Sequence, residues 1–207
     1  MGRGLAALLL AIGSIVPAHA AVTITFWSQE LGQSFPHAFF TLAGTPDAGG
    51  PAVSASYGFT AKAVTPALLA GSVPGMIDRP KPGYIARSNA HFSVVLTDAQ
   101  YAHVLALVGE WGPVGDSHYN LNRRNCVHFV AEAGRRSGLT VTEPKRLMKK
   151  PRSFTRSMAQ ANVGRVTVIE LPAKAYLATM TQPPPPPVEA APATVSGYPA
   201  PLPSAPR

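Results

Sequence analysis

The chain has 207 residues, a formal net charge of +8, 22 prolines and one cysteine. A single cysteine excludes an internal disulfide framework, and the absence of Cys-x-x-Cys and His-x-x-x-His pairs argues against a zinc site. The sequence also contains neither a glycine-rich phosphate loop nor a G-x-S-x-G nucleophile elbow. These features argue against metalloenzymes, phosphate-loop enzymes and serine hydrolases of that type, and no cofactor or metal is expected.

Residues 1–20 have the three parts of a cleavable secretory signal peptide. Arg3 provides the positive start, residues 5–16 form the apolar run, and residues 18–20 supply a small-x-small cleavage pattern after Pro17. The apolar run is shorter than the roughly 20 residues that cross a bilayer comfortably. We therefore predict cleavage near Ala20 and an exported protein, periplasmic or secreted, for which nucleic acid is not an expected partner. An uncleaved membrane anchor is the alternative.

Three strands are predicted in succession after the signal. Residues 21–27 alternate larger apolar side chains with threonine, residues 35–42 are a second candidate, and residues 53–60 are a third. Turn-rich segments at residues 43–47 and 49–51 separate them. This order predicts a meander of antiparallel neighbours.

The middle of the chain combines short helices with a further strand. Residues 65–70 are expected to form a helical turn, and residues 91–96 a strand that runs into a capping box formed by Thr97 and Gln100. The helix after this box should end at residues 112–113. Its core-facing side is predicted to consist of Tyr101, Val104, Leu105, Val108 and Trp111.

A second main helix is predicted to begin at Asn125, a favourable N-cap, and to end at Gly138. Residues 165–171 read as a last strand. Together these elements predict an α+β domain over residues 21–181, with a small, mostly antiparallel sheet packed against two main helices.

Residues 145–156 carry six cations, namely Lys145, Arg146, Lys149, Lys150, Arg152 and Arg156. One interpretation is a solvated basic helix and loop. The other is a site for anionic lipid or cell-wall polymer, because each cation near such a surface gains about 1 kcal/mol.

Residues 182–207 form a proline-rich segment with five consecutive prolines at 183–187. Proline lacks an N–H and fixes φ, so this tail is expected to be disordered and extended rather than part of a core. It is interpreted as a solvated tail or as a spacer or ligand for a partner in the cell envelope.

Cys126 is the first candidate for chemistry. It follows Asn125 at a predicted helix start, where orphan N–H groups and the helix dipole favour a thiolate, and Arg123 and Arg124 act in the same direction. We therefore expect a lowered thiol pKa and a nucleophilic sulfur. The alternative is a small buried apolar residue.

A nucleophilic thiolate needs a base, and five histidines follow the signal. His37 lies inside an apolar strand and is the preferred base, whereas His91 opens a strand and remains a candidate orienting group. His103 is expected at the surface, and His128 should point about 200° away from Cys126 around the helix. His118 lies in a loop.

Residues 125–130 (N-C-V-H-F-V) resemble the Asn-Cys-x-x-Phe signature of the permuted papain-like cysteine enzymes. That group includes the lecithin:retinol acyltransferase family and relatives of the NlpC-type cell-wall peptidases. Its histidine comes first, on a strand, and its cysteine later, at a helix start, the order in which His37 and Cys126 stand. Residues 119–121 resemble the family's lead-in, and residues 21–158 resemble an uncharacterised exported bacterial branch of the group.

The resemblance implies a permuted papain-like domain with Cys126 as nucleophile, His37 as base, and Asn125 at the helix N-cap and oxyanion region. A third polar residue is usual on the strand after the histidine. That strand offers only serines and a tyrosine here, so Ser56, Tyr57 and His91 are the candidates. The implied function is a thiol hydrolase, either an amidase or peptidase or an esterase, acting on a peptidoglycan peptide or lipid of the cell envelope. An acyltransferase to lipid or amine acceptors and a non-catalytic envelope-binding module are the alternatives.

Overall fold

A computed structural model describes residues 21–30 and 35–181 of the chain. The predicted signal peptide at residues 1–20 and the proline-rich tail at residues 182–207 lie outside the described residues. None of the helices in the described ranges combines the length and the apolar character needed to cross a bilayer.

The described chain has an α+β architecture built on a seven-stranded sheet in which all paired neighbours are antiparallel. The strands are β1 (Val22–Gln29), β2 (His37–Gly44), β3 (Val53–Ala61), β4 (Val73–Asp78), β5 (Asn89–Leu96), β6 (His118–Tyr119) and β7 (Thr167–Pro172). Their spatial order is β6-β4-β3-β2-β1-β5-β7. The predicted meander is therefore confirmed as β1-β2-β3, at the centre of a larger sheet than expected.

Six α-helices connect and cover these strands, where two main helices were expected. They are α1 (Ala67–Ala70), α2 (Pro82–Ile85), α3 (Asp98–Glu110), α4 (Cys126–Arg136), α5 (Pro151–Gln160) and α6 (Ala173–Thr181), with a 3-10 turn at Lys145–Leu147. The capping box at the start of α3 is present as predicted, because Thr97 accepts from the Gln100 N–H and Gln100 accepts from the Thr97 N–H.

The main core lies between one face of the sheet and helices α3, α4 and α5. Its largest members are fully buried phenylalanines, namely Phe26, Phe40, Phe59, Phe92, Phe129 and Phe154. The predicted buried face of α3 was partly wrong: Leu107 is buried, whereas Leu105 is 36% exposed. The opposite face of the sheet holds a smaller cluster in which Trp27 and Phe39 pack against Tyr176 of α6 and Tyr84 of α2.

The start of α4 is held by the buried side chain of Asn125. Its amide oxygen accepts hydrogen bonds from the N–H groups of Val127 (2.8 Å) and His128 (3.2 Å). Its amide nitrogen donates to the carbonyls of Leu121 and Met148, both at 2.8 Å. One side chain thus fixes the helix start, the loop before it and the basic segment that follows the helix.

Replacing Asn125 by alanine should lower the free energy of unfolding by about 3 kcal/mol or more, since it removes an N-cap and the hydrogen bonds to the carbonyls of Leu121 and Met148, the second of them buried. Thr97→Ala is the matched control, because it removes only an exposed cap and should cost about 1 kcal/mol. Chemical denaturation of both variants measures the difference. Equal losses of unfolding free energy in the two variants would show that the hydrogen bonds from Asn125 to the two carbonyls contribute little to stability.

Candidate functional site

A cavity of about 660 Å³ opens beside the start of α4. Its polar lining comes from several elements: His37 begins β2, Asp78 ends β4, Tyr84 lies in α2, Tyr119 ends β6, and Cys126 begins α4. The structure therefore places the two residues predicted as a nucleophile and its base on the walls of one cavity.

Cys126 sits at the inner wall of this cavity and is only 5% exposed. The backbone N–H groups of Ala38, Cys126 and Val127 lie near the sulfur and favour its thiolate form. Because Ala38 directly follows His37, this contact also ties the sulfur to the strand that carries the imidazole. The helix N-terminus thus meets the sheet at the point where β2 begins.

His37 is buried, stacked on Phe39 and edge-on to Tyr84. Its Nε2 lies 3.6 Å from an Asp78 carboxylate oxygen and has no hydrogen-bond partner among the described residues. Gly58, which pairs with Asp78 on the adjacent strand, makes room for the ring, since a Cβ there would lie 2.5 Å from Nε2. The imidazole therefore occupies space that a side chain on β3 would fill.

The three candidates for a third polar position lie outside the cavity lining. Ser56 donates to the Pro80 carbonyl, Tyr57 packs on Phe40 under the Arg79 guanidinium, and none of Ser56, Tyr57 or His91 lines the cavity. The acidic side chain on the cavity wall is that of Asp78. It comes from β4, a strand that the sequence analysis missed because Pro74-Gly75 suggests a turn rather than a strand.

His91 belongs to a separate buried network. Its Nε2 lies 2.8 Å from the Ser28 hydroxyl and its Nδ1 lies 2.9 Å from the Glu170 carboxylate. Glu170 also pairs with Arg156 of α5 and adopts a positive φ of 48°. The network ties β1, β5, β7 and α5 together, and it explains why a histidine can be fully buried in this position.

The remaining predicted groups lie away from the sulfur. His128 completes a capping box with Asn125, its ring accepting from the Asn125 N–H, and it is absent from the cavity lining, as are His103 and His118. Arg124 stacks on Trp111 with its guanidinium 3.6 Å from the ring centroid. The expectation that this arginine favours the thiolate is therefore not supported by its position.

Burial sets the protonation states of the pair. Desolvation raises the pKa of the Cys126 thiol to about 11, outweighing the three N–H groups that favour the thiolate. Desolvation also lowers the pKa of His37 to about 4, against the opposing effect of Asp78. The expected low-pKa thiol was therefore wrong for the resting site, in which burial favours a neutral thiol and a neutral imidazole at pH 7.

Two phenols in the cavity were not predicted. Tyr84 stands edge-on to His37, and burial raises its pKa to about 12. Tyr119 is buried as well, which raises its pKa, and its phenol oxygen lies near the Cys126 N–H, which favours the phenolate form. The sequence signal for Tyr119 was its place in the resembling lead-in, whereas α2 carried no such signal for Tyr84.

Asn125 is confirmed as the N-cap of α4. Its amide nitrogen is occupied by two backbone carbonyls, so the side chain itself is not free to bind an oxyanion. The N–H donors near the sulfur belong to the backbone.

Within the described ranges, no group of three or more His, Cys, Asp or Glu side chains could hold a metal ion. Comparison of the chain with protein-family models, curated proteins and solved structures gave no significant match.

The raised thiol pKa predicts the pH dependence of alkylation. Between pH 7 and pH 9 the rate of Cys126 modification by iodoacetamide should rise about tenfold per pH unit without levelling, because the thiolate fraction is still small. The unfolded protein should instead level off near the free-thiol pKa of about 8.5. Mass spectrometry of timed samples gives the rates. A plateau below pH 8 in the folded protein would contradict this assignment.

The lowered pKa of His37 predicts acid sensitivity. Between pH 6.5 and about pH 4 the unfolded chain binds a proton that the folded His37 does not, so the free energy of unfolding should fall as pH falls. The loss attributable to this residue is up to about 3 kcal/mol. Denaturation across this range should show a shallower fall for His37→Gln than for the exposed-site control His103→Gln. A residual fall is expected because burial also lowers the pKa of His91.

Proposed function

We propose that this protein is an exported thiol hydrolase with a permuted papain-like domain, acting on an amide or ester of the cell envelope. The observation that carries the proposal is that Cys126, His37 and Asp78 line one cavity at the start of α4. The order of the cysteine and histidine along the chain and the Asn-Cys-x-x-Phe motif support it. Cleavage near Ala20 and a periplasmic or secreted location are part of the proposal.

The chemistry starts from the neutral pair. As the Cys126 sulfur attacks the substrate carbonyl, His37 takes the thiol proton, and a tetrahedral oxyanion forms. The Asp78 carboxylate, 3.6 Å from Nε2, stabilises the imidazolium only while it exists. The imidazolium then protonates the leaving amine or alcohol, and an acyl-cysteine remains. Water, deprotonated by His37, releases the acid and restores the thiol.

The oxyanion has donors within reach of the sulfur. The Cys126 N–H is at the N-terminus of α4, and the Tyr119 hydroxyl lies beside that N–H. Donors fixed by backbone and by a buried ring need little reorganisation when negative charge develops. Both therefore suit a developing oxyanion better than the occupied amide of Asn125.

An acyltransferase is a second candidate, and the lining of the cavity favours it. Phe35, Leu68, Leu69, Leu121 and Val127 give the cavity a largely apolar wall. An apolar wall suits an acyl chain and limits the access of water to an acyl-cysteine, so a lipid or amine acceptor could compete with hydrolysis.

Variants of Cys126, His37 and Asp78 test both reactions. Cys126→Ser should abolish acyl-enzyme formation, His37→Ala should lower kcat by about 10²–10⁴-fold, and Asp78→Asn should lower it by at least about tenfold. His103→Ala is the matched control and should leave turnover unchanged. The assay uses chromogenic acyl esters and anilides, with mass spectrometry of the Cys126 adduct and with amine or lipid alcohol added as acceptor.

Release of free acid alone indicates hydrolysis, whereas acyl transfer to the acceptor indicates the second candidate. Failure of the wild-type protein to form any acyl adduct on Cys126 would contradict both and leave the non-catalytic binding module. Unchanged turnover in Cys126→Ser would also contradict the proposed nucleophile.

A further inference from the structure

Three large apolar side chains on the cavity lining point into solvent instead of into the core. Phe35 is 57% exposed, Val64 is 65% exposed and Leu69 is 79% exposed, and all three line the cavity that contains Cys126. Single exposed apolar residues are ordinary on protein surfaces, but a group of them around one opening indicates a contact surface. We call these three residues the apolar rim.

Unpaired cations accompany the apolar rim. Lys149 lines the same cavity, and Lys62 lies between two lining residues, Ala61 and Val64. Both lysines are exposed, and neither forms an ion pair with a carboxylate in the described ranges. The same holds for their neighbours Lys145, Arg146 and Lys150.

The other basic residues of that segment behave differently. Arg152 pairs with Glu30, and Arg156 pairs with Glu170. Asp78, the acidic residue in the cavity lining, faces His37 rather than a lysine. The positive charge near the rim is therefore left without a counterion from the described chain, whereas the two arginines of α5 form ion pairs within the chain.

We propose that the apolar rim and the lysines beside it dock onto an anionic lipid bilayer. The rim side chains would enter the boundary between headgroups and acyl chains, and Lys62 and Lys149 would lie against anionic headgroups. A polyanion such as a cell-wall polymer would need the cations but would gain nothing from the exposed phenylalanine, valine and leucine. The combination of both features favours a bilayer as the partner.

This docking needs no reaction at Cys126. The Cys126→Ala variant should bind vesicles as the wild-type protein does, so loss of docking and loss of thiol chemistry are separate results. Docking would place the cavity opening against the lipid surface.

The test measures co-sedimentation of the mature protein, residues 21–207, with vesicles of phosphatidylcholine, with and without phosphatidylglycerol. Binding should require phosphatidylglycerol and weaken as salt is added. Lys62→Gln/Lys149→Gln should lower the partition coefficient about fivefold for each lysine removed, corresponding to about 1 kcal/mol per cation. Val64→Ser/Leu69→Ser should lower it severalfold at unchanged charge.

Matched controls carry the same changes elsewhere on the surface. Val114→Ser/Val163→Ser alters two residues that are 95% and 74% exposed and lie outside the cavity lining. Lys81→Gln/Lys174→Gln removes two exposed charges that also lie outside it. Both controls should bind vesicles as the wild-type protein does, and circular dichroism should show every variant folded.

Three results would overturn the proposal. One is the absence of binding to phosphatidylglycerol vesicles at low ionic strength. Another is an equal loss of vesicle binding in the control and rim variants, which would indicate that the protein binds vesicles through its overall charge rather than through the rim. The third is unchanged vesicle binding in Val64→Ser/Leu69→Ser, which would assign the surface to a polyanion.

Discussion

The buried amide of Asn125 is the interaction on which the cavity depends. It satisfies two N–H groups of α4 and two carbonyls from outside that helix. An amide is suited to this position because it has both donors and acceptors and carries no charge to desolvate. The carbonyl of Met148 directly precedes Lys149, so the same side chain that positions Cys126 also positions one cationic edge of the opening.

Burial determines the protonation states of Cys126 and His37. A thiolate and an imidazolium would attract each other, but both would lose hydration in this cavity, and the neutral pair is therefore preferred at rest. Charge would appear only as a substrate carbonyl is attacked, when Asp78 and the N–H groups near the sulfur are already in place. In the proposed reaction, such a site gives up reactivity toward small electrophiles and keeps stabilisation for the transition state.

Local patterns predicted much of this structure, and long-range contacts account for the errors. Strand alternation and helix caps depend on neighbours in sequence, so β1 to β3 and the starts of α3 and α4 could be predicted. The place of Asp78 in the cavity could not be predicted, because Gly75 in the same strand resembles a turn residue. Glycine is instead needed there because the chain at Ser117 packs closely against it: a Cβ at position 75 would lie 2.5 Å from the Ser117 carbonyl oxygen. The partner of His91 is Glu170, 79 positions along the chain, and no local pattern links them. Burial, which decides both pKa values, is likewise a property of the whole fold.

The close approach between Gly58 and His37 couples the two positions sterically. The backbone of Gly58 is not in the left-handed region, so the position needs glycine for space and not for φ. Any side chain at position 58 would require the His37 imidazole to move. The missing side chain at position 58 is therefore part of what holds the His37 imidazole on the cavity wall.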